Sequence, residues 1–300
     1  MTALRKGLFR TARTQVRMAV IVPAGPRDDV LDTLASVVRY SGPSRIILVI
    51  DDTGTLSSAS NRDFLRAQSA DIVVIPAPPA PPGLLGGLWV KLTSGYRWLL
   101  ERYEPELVLR LDADALMIGA GIEDQAEQAF AQDSRLGLLG AYRIGPDNGV
   151  RDFSWAAHQV RAETGLPGLR HPRSRSVIRG YYRLARDHGY VDGEHALGGA
   201  YIHRFAAIDD IYRNGWLHQA GLVKKATLGE DHLMSMLTVA AGYRIADFSG
   251  PEDPMALTWR GLPGHPADLL ARGKLVTHSV RSWDAMTEPQ IRAIFAAARA

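Results

Sequence analysis

Apolar and polar positions along the first third of the chain switch between the period of a strand and that of a helix. Met18-Ala-Val-Ile-Val-Pro23 is short and β-branched and is stopped by Pro23-Ala-Gly-Pro26, which is the pattern of a strand buried on both faces. From Asp28 to Tyr40 the apolar residues Val30, Leu31, Leu34, Val37 and Val38 recur at helical spacing, and Ser41-Gly-Pro43 ends the helix. Arg45-Ile-Ile-Leu-Val-Ile50 predicts a second buried strand running into Asp51-Asp52. A short helix over 61–69 and a strand over Ile72–Ile75 follow. The stretch Pro76–Gly87, with five prolines and three glycines, predicts an irregular loop. A helix from about Leu88 to Arg102 then leads into Leu107-Val-Leu-Arg-Leu-Asp-Ala-Asp-Ala-Leu116, an apolar strand that delivers Asp112 and Asp114.

This alternation predicts an α/β fold with a parallel sheet covered by helices on both faces. Beyond it the pattern predicts a helix at 122–132, a strand at Leu136–Tyr142, helices at 206–214 and 230–241, and strands at Gly198–His203 and Arg244–Phe248. Residues 145–190 are Arg-rich and weakly patterned, and read as an insertion or lid. No internal repeat and no linker divides the chain, so residues 18–300 form one domain behind a basic arm at 1–17.

The chemistry concentrates at Asp112 and Asp114. In an extended chain, side chains at i and i+2 share a face, so the two carboxylates point the same way. Hard oxygen ligands of this kind suit Mg²⁺ or Mn²⁺, and such a cation can neutralise a bound diphosphate. Open α/β sheets bind ligands just beyond the carboxyl ends of their strands, where this pair stands. The plainer alternative is a solvated Asp-x-Asp turn.

Composition narrows the class. At 46% hydrophobic and 22% charged residues, the 300-residue chain is an ordinary globular protein. It has no cysteine, which excludes disulfides, thiolate chemistry and most structural zinc sites. No apolar run approaches the roughly 18–20 residues of a spanning helix, and no secretory signal opens the chain, so a cytoplasmic location is expected. The net charge is only +3 but unevenly spread. Arg5, Lys6, Arg10, Arg13 and Arg17, interleaved with Leu4, Leu8 and Phe9, read as a solvated terminus in preference to a peripheral membrane contact. Six arginines between Arg170 and Arg186 form a second basic tract, without a nucleic-acid motif or aromatic platform, so nucleic acid is not an expected partner.

Three acidic sites stand at predicted element ends: Asp51-Asp52, Asp112-Ala-Asp114 and Glu230-Asp231. Their order and surroundings over residues 18–248 resemble the GT-A glycosyltransferases, loosely the family 2 type. The resemblance implies a nucleotide-binding half at 18–118 and an acceptor-binding half at 119–300, with 145–190 as an acceptor-side insertion. It places Pro23 in the loop that meets the nucleotide and Asp51 and Asp52 at the uracil or ribose. Lys91, before Leu92-Thr-Ser-Gly95, falls beside a phosphate; Thr93 departs from the usual Asn. Asp112 and Asp114 match the metal-binding motif, and Gly198 and Gly199 match the glycine pair at the donor-sugar and acceptor pocket. Glu230 and Asp231 match the pair that carries the catalytic base of inverting members, which implies inverting transfer with Asp231 as the base and Glu230 positioning it or binding acceptor, although Gly-Glu-Asp is also an ordinary helix start. The resemblance further implies a histidine completing the metal site, for which His278 is the candidate and His265 the weaker one.

The function so implied is metal-dependent transfer of a sugar from a UDP- or GDP-sugar to a small-molecule, glycan or lipid-linked hydroxyl acceptor, with Mn²⁺ or Mg²⁺ as cofactor. A Gln-x-x-Arg-Trp motif is absent, which argues against a processive synthase. A retaining transferase of the glucosyl- or mannosylglycerate type, a sugar-nucleotide pyrophosphorylase and a non-catalytic sugar-nucleotide binder remain open. Trp89, Trp155 and Trp259 could stack on a sugar or base, but core or surface roles are the more ordinary reading. Sequence leaves the oligomeric state open.

Overall fold

The computed structural model describes residues 12–26, 30–56, 58–69, 71–80 and 85–300. The expectations for Arg5, Lys6 and Arg10 lie outside the described residues. In chain order the elements are β1 (Thr14–Ala24), α1 (Val30–Tyr40), β2 (Arg45–Asp51), α2 (Ala59–Gln68), β3 (Ile72–Pro76), α3 (Leu85–Arg102), β4 (Tyr103–Leu111), β5 (Ala115–Met117), α4 (Ile122–Gln132) and β6 (Leu136–Gly140). They continue with α5 (Ser154–Thr164), α6 (Pro172–Asp187), β7 (Ala200–Arg204), α7 (Phe205–Arg213), α8 (Glu230–Ala240), β8 (Arg244–Asp247), β9 (Met255–Leu257), α9 (Pro266–Ala271), β10 (Val276–His278) and α10 (Glu288–Arg299).

The central sheet has seven strands in the order β3-β2-β1-β4-β7-β6-β8. The strands β3, β2, β1 and β4 are parallel, β7 runs antiparallel to both its neighbours, and β8 is parallel to β6. The mostly parallel α/β sheet expected from the alternating elements is therefore present. Its strands are apolar on both faces because both are covered. Ala19 and Ile21 pack with Trp89, Tyr96, Ile208 and Leu233 on one side, while Val20, Val22, Leu34 and Ile122 pack on the other. Burying side chains of this size is worth roughly 1.5–3 kcal/mol each.

A second sheet, β5-β10-β9, closes the carboxyl end of β4. In its antiparallel register His278 of β10 lies opposite Ala115 of β5, one residue past Asp114. A small third core, including Leu116, Ile118, Val280, Ile291 and Phe295, holds α10 and this sheet to the rest.

Two sequence expectations change. The Arg-rich segment is not weakly structured: it folds into α5 and α6, and α6 packs against α8. Ser174, Ile178, Tyr181 and Ala185, spaced four, three and four apart, are the buried stripe of α6, and the arginines occupy its other faces. Glu163 anchors α5 by accepting the Thr227 backbone N–H at 2.6 Å. The second change concerns the Asp-x-Asp motif. β4 stops at Leu111, and Asp112–Asp114 is a turn closed by Ala115 N–H donating to Asp112 C=O at 3.0 Å. The two carboxylates converge because the chain turns, not because a strand alternates.

The described end of the basic arm is anchored. Arg13 pairs with Asp209 at 2.8 Å, with both side chains buried, and Arg17 pairs with Glu127 at 2.7 Å. Among the described residues no helix is long and apolar enough to cross a membrane.

Candidate active site

β1, β2 and β4 end at the same edge of the sheet, and the strand order reverses between β1 and β4. A crevice opens at such a switch point. Here it is a cleft of about 220 Å³ lined by Pro23, Ala24, Asp52, Lys91, Asp112, Asp114 and Arg281. Of the sequence-predicted residues, Pro23, Asp52, Lys91, Asp112 and Asp114 are thus brought together. Lys91 and Asp52 form an ion pair across the cleft.

Asp51 does something else. It is buried, and its Oδ1 accepts the N–H groups of Thr53 at 2.9 Å and Gly54 at 3.1 Å, while Oδ2 accepts Leu56 N–H at 3.1 Å. Its carboxylate holds the turn after β2, whereas Asp52 lines the cleft. An Asp that begins a tight turn spends its oxygens on the turn's own backbone.

Asp112, Asp114 and His278 form a cluster whose ligand atoms all lie within 4.8 Å of one another. Each carboxylate divides its oxygens. Asp112 Oδ1 is 2.8 Å from Arg110 Nη2, and its Oδ2 faces His278 Nε2 at 3.8 Å. Asp114 Oδ2 accepts from Ser279 Oγ and Arg281 Nε, both at 2.7 Å, leaving Oδ1 to face the same Nε2 at 3.4 Å. His278 donates Nδ1–H to the Thr258 carbonyl at 2.8 Å, which aims Nε2 at the two free oxygens. Burial opposes charge on both partners. Even so, His278, Ser279 and Arg281 hold Asp114 well below the usual carboxylate range, and the two aspartates push His278 up. Two hard oxygens with one imidazole are a donor set that a divalent cation accepts.

Gly198 and Gly199 precede β7 and separate this cluster from Glu230 and Asp231. Gly199 has φ +100°, and a Cβ there would come within 2.5 Å of His278 Nδ1. Its carbonyl accepts Asp112 N–H at 2.7 Å. Gly198 donates its N–H to Asp231 Oδ2 at 3.1 Å. The glycine pair lets the backbone run between the two acidic centres, as the strand expected from Gly198 would not.

Arg110 joins those centres. Its guanidinium, 1% exposed, lies 2.8 Å from both Asp112 Oδ1 and Glu230 Oε1. Burial raises the Glu230 carboxyl to about 7, with Arg110 opposing the rise. Asp231 goes the other way, because His232, His195 and the Gly198 N–H outweigh its burial and keep it ionised. The helix α8 is capped by Gly229 without a side-chain bond, so neither acid is spent as an N-cap.

No protein-family model matches the chain, and no curated protein matches it in sequence. Among solved structures, the galactosyltransferase LgtC in complex with donor and acceptor sugar analogs is similar over 94% of this chain and 95% of its own, at 14% identity and a TM-score of 0.47. An active-site mutant of LgtC gives 13% identity and a TM-score of 0.48 over the same shares. Mouse xyloside xylosyltransferase 1, in its apo form, is similar over 88% of this chain and 97% of its own, at 10% identity and a TM-score of 0.45. Likenesses at this level carry no argument about chemistry, which rests on the chain's own residues.

The sequence reading missed Arg110, Ser279, Arg281, His195 and His232. Arg110 left a signal, a lone charge inside an apolar strand, which in a buried position demands partners. His265 is not part of the Asp112–Asp114–His278 cluster; its Nδ1 accepts Ala267 N–H at 3.2 Å as the cap of α9. Trp89 is core, whereas Trp155 and Trp259 are exposed.

Proposed function

We propose that this protein is a GT-A-type glycosyltransferase that moves a sugar from a UDP- or GDP-sugar to a hydroxyl acceptor. The observation that carries the reading is the inward-facing trio of Asp112 Oδ2, Asp114 Oδ1 and His278 Nε2 at the mouth of the switch-point cleft. A Mn²⁺ or Mg²⁺ ion held there would neutralise the diphosphate leaving group. Lys91 and Arg281 add positive charge on the same cleft, and Asp52 and Pro23 face the nucleotide end. Such preorganised charge stabilises the departing diphosphate more than the ground state. Glu230, joined to Asp112 through Arg110, and its neighbour Asp231 would stand on the acceptor side in this reading, where removal of the acceptor's proton favours inverting transfer.

Thermal shift with UDP- and GDP-sugars, with and without Mn²⁺, tests the donor, because a ligand that binds the native state raises its apparent stability. Asp114→Ala should abolish turnover and the Mn²⁺-dependent part of the shift while the protein still folds. An Asp114→Ala protein that binds UDP or GDP with unchanged Mn²⁺ dependence would remove the metal site from the reading. Donor binding by the wild-type protein with no UDP or GDP release would make it a binding protein instead.

A further inference from the structure

A second cluster, His195, Asp231 and His232, lies on the other side of the Gly198–Gly199 turn, and its geometry assigns the proton-accepting step more narrowly than the acidic pair does. Asp231 has little left to offer a substrate. Its Oδ1 accepts both the backbone N–H of His232 at 2.9 Å and His232 Nδ1–H at 2.8 Å, and its Oδ2 accepts Gly198 N–H. With Nδ1 donating to a carboxylate, the lone pair of the neutral His232 ring is on Nε2. That nitrogen is buried and has no hydrogen-bond partner among the described residues. A buried polar atom without a partner costs free energy and calls for an explanation, and catalysis is one.

The surroundings fit a base. The His195 ring stacks on His232 with centroids 3.9 Å apart. His195 donates Nδ1–H to Gly193 C=O at 2.8 Å and meets Arg151 Nη2 at 3.2 Å through Nε2, which fixes it as a neutral ring. Arg151 is itself held by the carbonyls of Tyr142 at 2.8 Å and His195 at 2.7 Å. His195 is therefore an uncharged wall that does not repel a proton arriving on its neighbour; burial pushes its own pKa down to about 4. On the remaining side Trp155 of α5 meets the His232 ring edge-on at 6.1 Å while 59% exposed. A large aromatic face left in solvent beside a buried base is a surface on which the apolar face of a sugar ring can rest.

We propose that His232 Nε2 takes the proton of the acceptor hydroxyl, that Asp231 orients its ring, and that Trp155 seats the acceptor. This rests on the sugar-transfer reading above. The hydroxyl proton passes to Nε2 as the oxygen's electron pair forms the bond to the anomeric carbon. The bond from that carbon to the diphosphate breaks, its pair leaving on the diphosphate oxygen, and His232 then releases the proton to water. The arrangement is that of a carboxylate-oriented histidine base.

The test uses UDP-glucose, UDP-galactose and GDP-mannose with Mn²⁺, and glycerol and methyl glycosides as acceptors, reading release of UDP or GDP. Donor affinity is followed separately by Mn²⁺-dependent thermal shift. His232→Gln should keep the donor shift and lose release by roughly 10²–10⁴-fold, the usual size of a general-base contribution. His232→Ala should regain part of its rate when imidazole is added, a response that a merely structural role would not give. Asp231→Asn, whose amide oxygen can still accept from Nδ1–H, should lose less than His232→Gln. A His232→Gln rate within about threefold of wild type, with Asp231→Asn inactive, would move the proton to Asp231 and overturn the proposal. Loss in both His232 variants with no imidazole response would also overturn it. If the wild-type protein neither binds nor cleaves any of these donors, the transfer reading itself fails, a distinct outcome.

Discussion

Arg110 shows how much a single side chain can commit a fold to a site. A guanidinium buried among strands is tolerated only if its charge is met, and here it is met twice, by Asp112 and by Glu230. The one residue therefore fixes the positions of Asp112 and of Glu230 together. Removing it would leave two carboxylates facing each other with no cation between them. Arg110→Met should cost roughly 3–5 kcal/mol in urea denaturation, the usual cost of breaking a buried pair from one side. Adding Glu230→Gln to Arg110→Met should recover part of that loss, since one of the stranded charges is then gone. A double variant no more stable than Arg110→Met would show that the pair does not act through charge. Gly199 belongs to the same scale: its positive φ and the nearby His278 ring leave no room for a Cβ, and only a residue without one lets the His278 ring pack against the backbone whose carbonyl holds Asp112 N–H.

At the scale of elements, α6 carries the clearest consequence. Its arginines hid a regular stripe, and Ile178 on that stripe is fully buried in the core shared with α3 and α8. Ile178→Ala should therefore destabilise the whole domain by about 2–5 kcal/mol in urea denaturation, as a core truncation does. A loss below about 0.5 kcal/mol would restore the picture of a loosely attached lid. β1, β2 and β4 were readable because strands buried on both faces are nearly pure apolar runs, and α1 and α4 because their stripes are apolar in a polar background. In α6 the stripe is made of Ser174, Ile178, Tyr181 and Ala185, two of them small, so periodicity was weak. The strands β9 and β10 have three residues each and take their place only from pairing with β5, which no local pattern encodes. The site divides in the same way. Asp112, Asp114 and His278 were visible as residue types, but the turn and the register that join them were not. His232 and His195 were invisible because their meaning comes from Asp231 and Arg151 in space.

For the whole molecule, the buried titratable groups set a direction for stability against pH. Burial lowers His195 to about 4 and His203 to about 3, against an unfolded value of about 6.5. Between those values the unfolded chain binds a proton at each ring that the native state refuses, so stability rises with pH across that window and is lost as pH falls below about 6.5. Glu230 acts with the opposite sign. Its native value near 7 lies above the unfolded one, so its contribution falls as pH rises toward 7. His278, also raised, contributes below its unfolded value and loses that contribution as pH climbs through its native one. From pH 6.5 down to about 5, two histidines oppose one carboxyl, a net of about one proton and about 1.4 kcal/mol per pH unit. Below about 4 the depressed Asp114 and Asp231 add to the loss. The stability curve should therefore peak near pH 6–7 and fall on the acid side, as read by urea midpoints over a pH range of about 3 to 8. His203 sits edge-on to the Tyr96 and Tyr201 rings at 6.0 and 5.3 Å, in a space a phenyl ring can fill. His203→Phe removes one of the two opposing protons and should flatten the limb between pH 5 and 6.5 while leaving the decline below pH 4 in place. An acid limb as steep in His203→Phe as in the wild-type protein would mean that the charge of this ring plays no part in it.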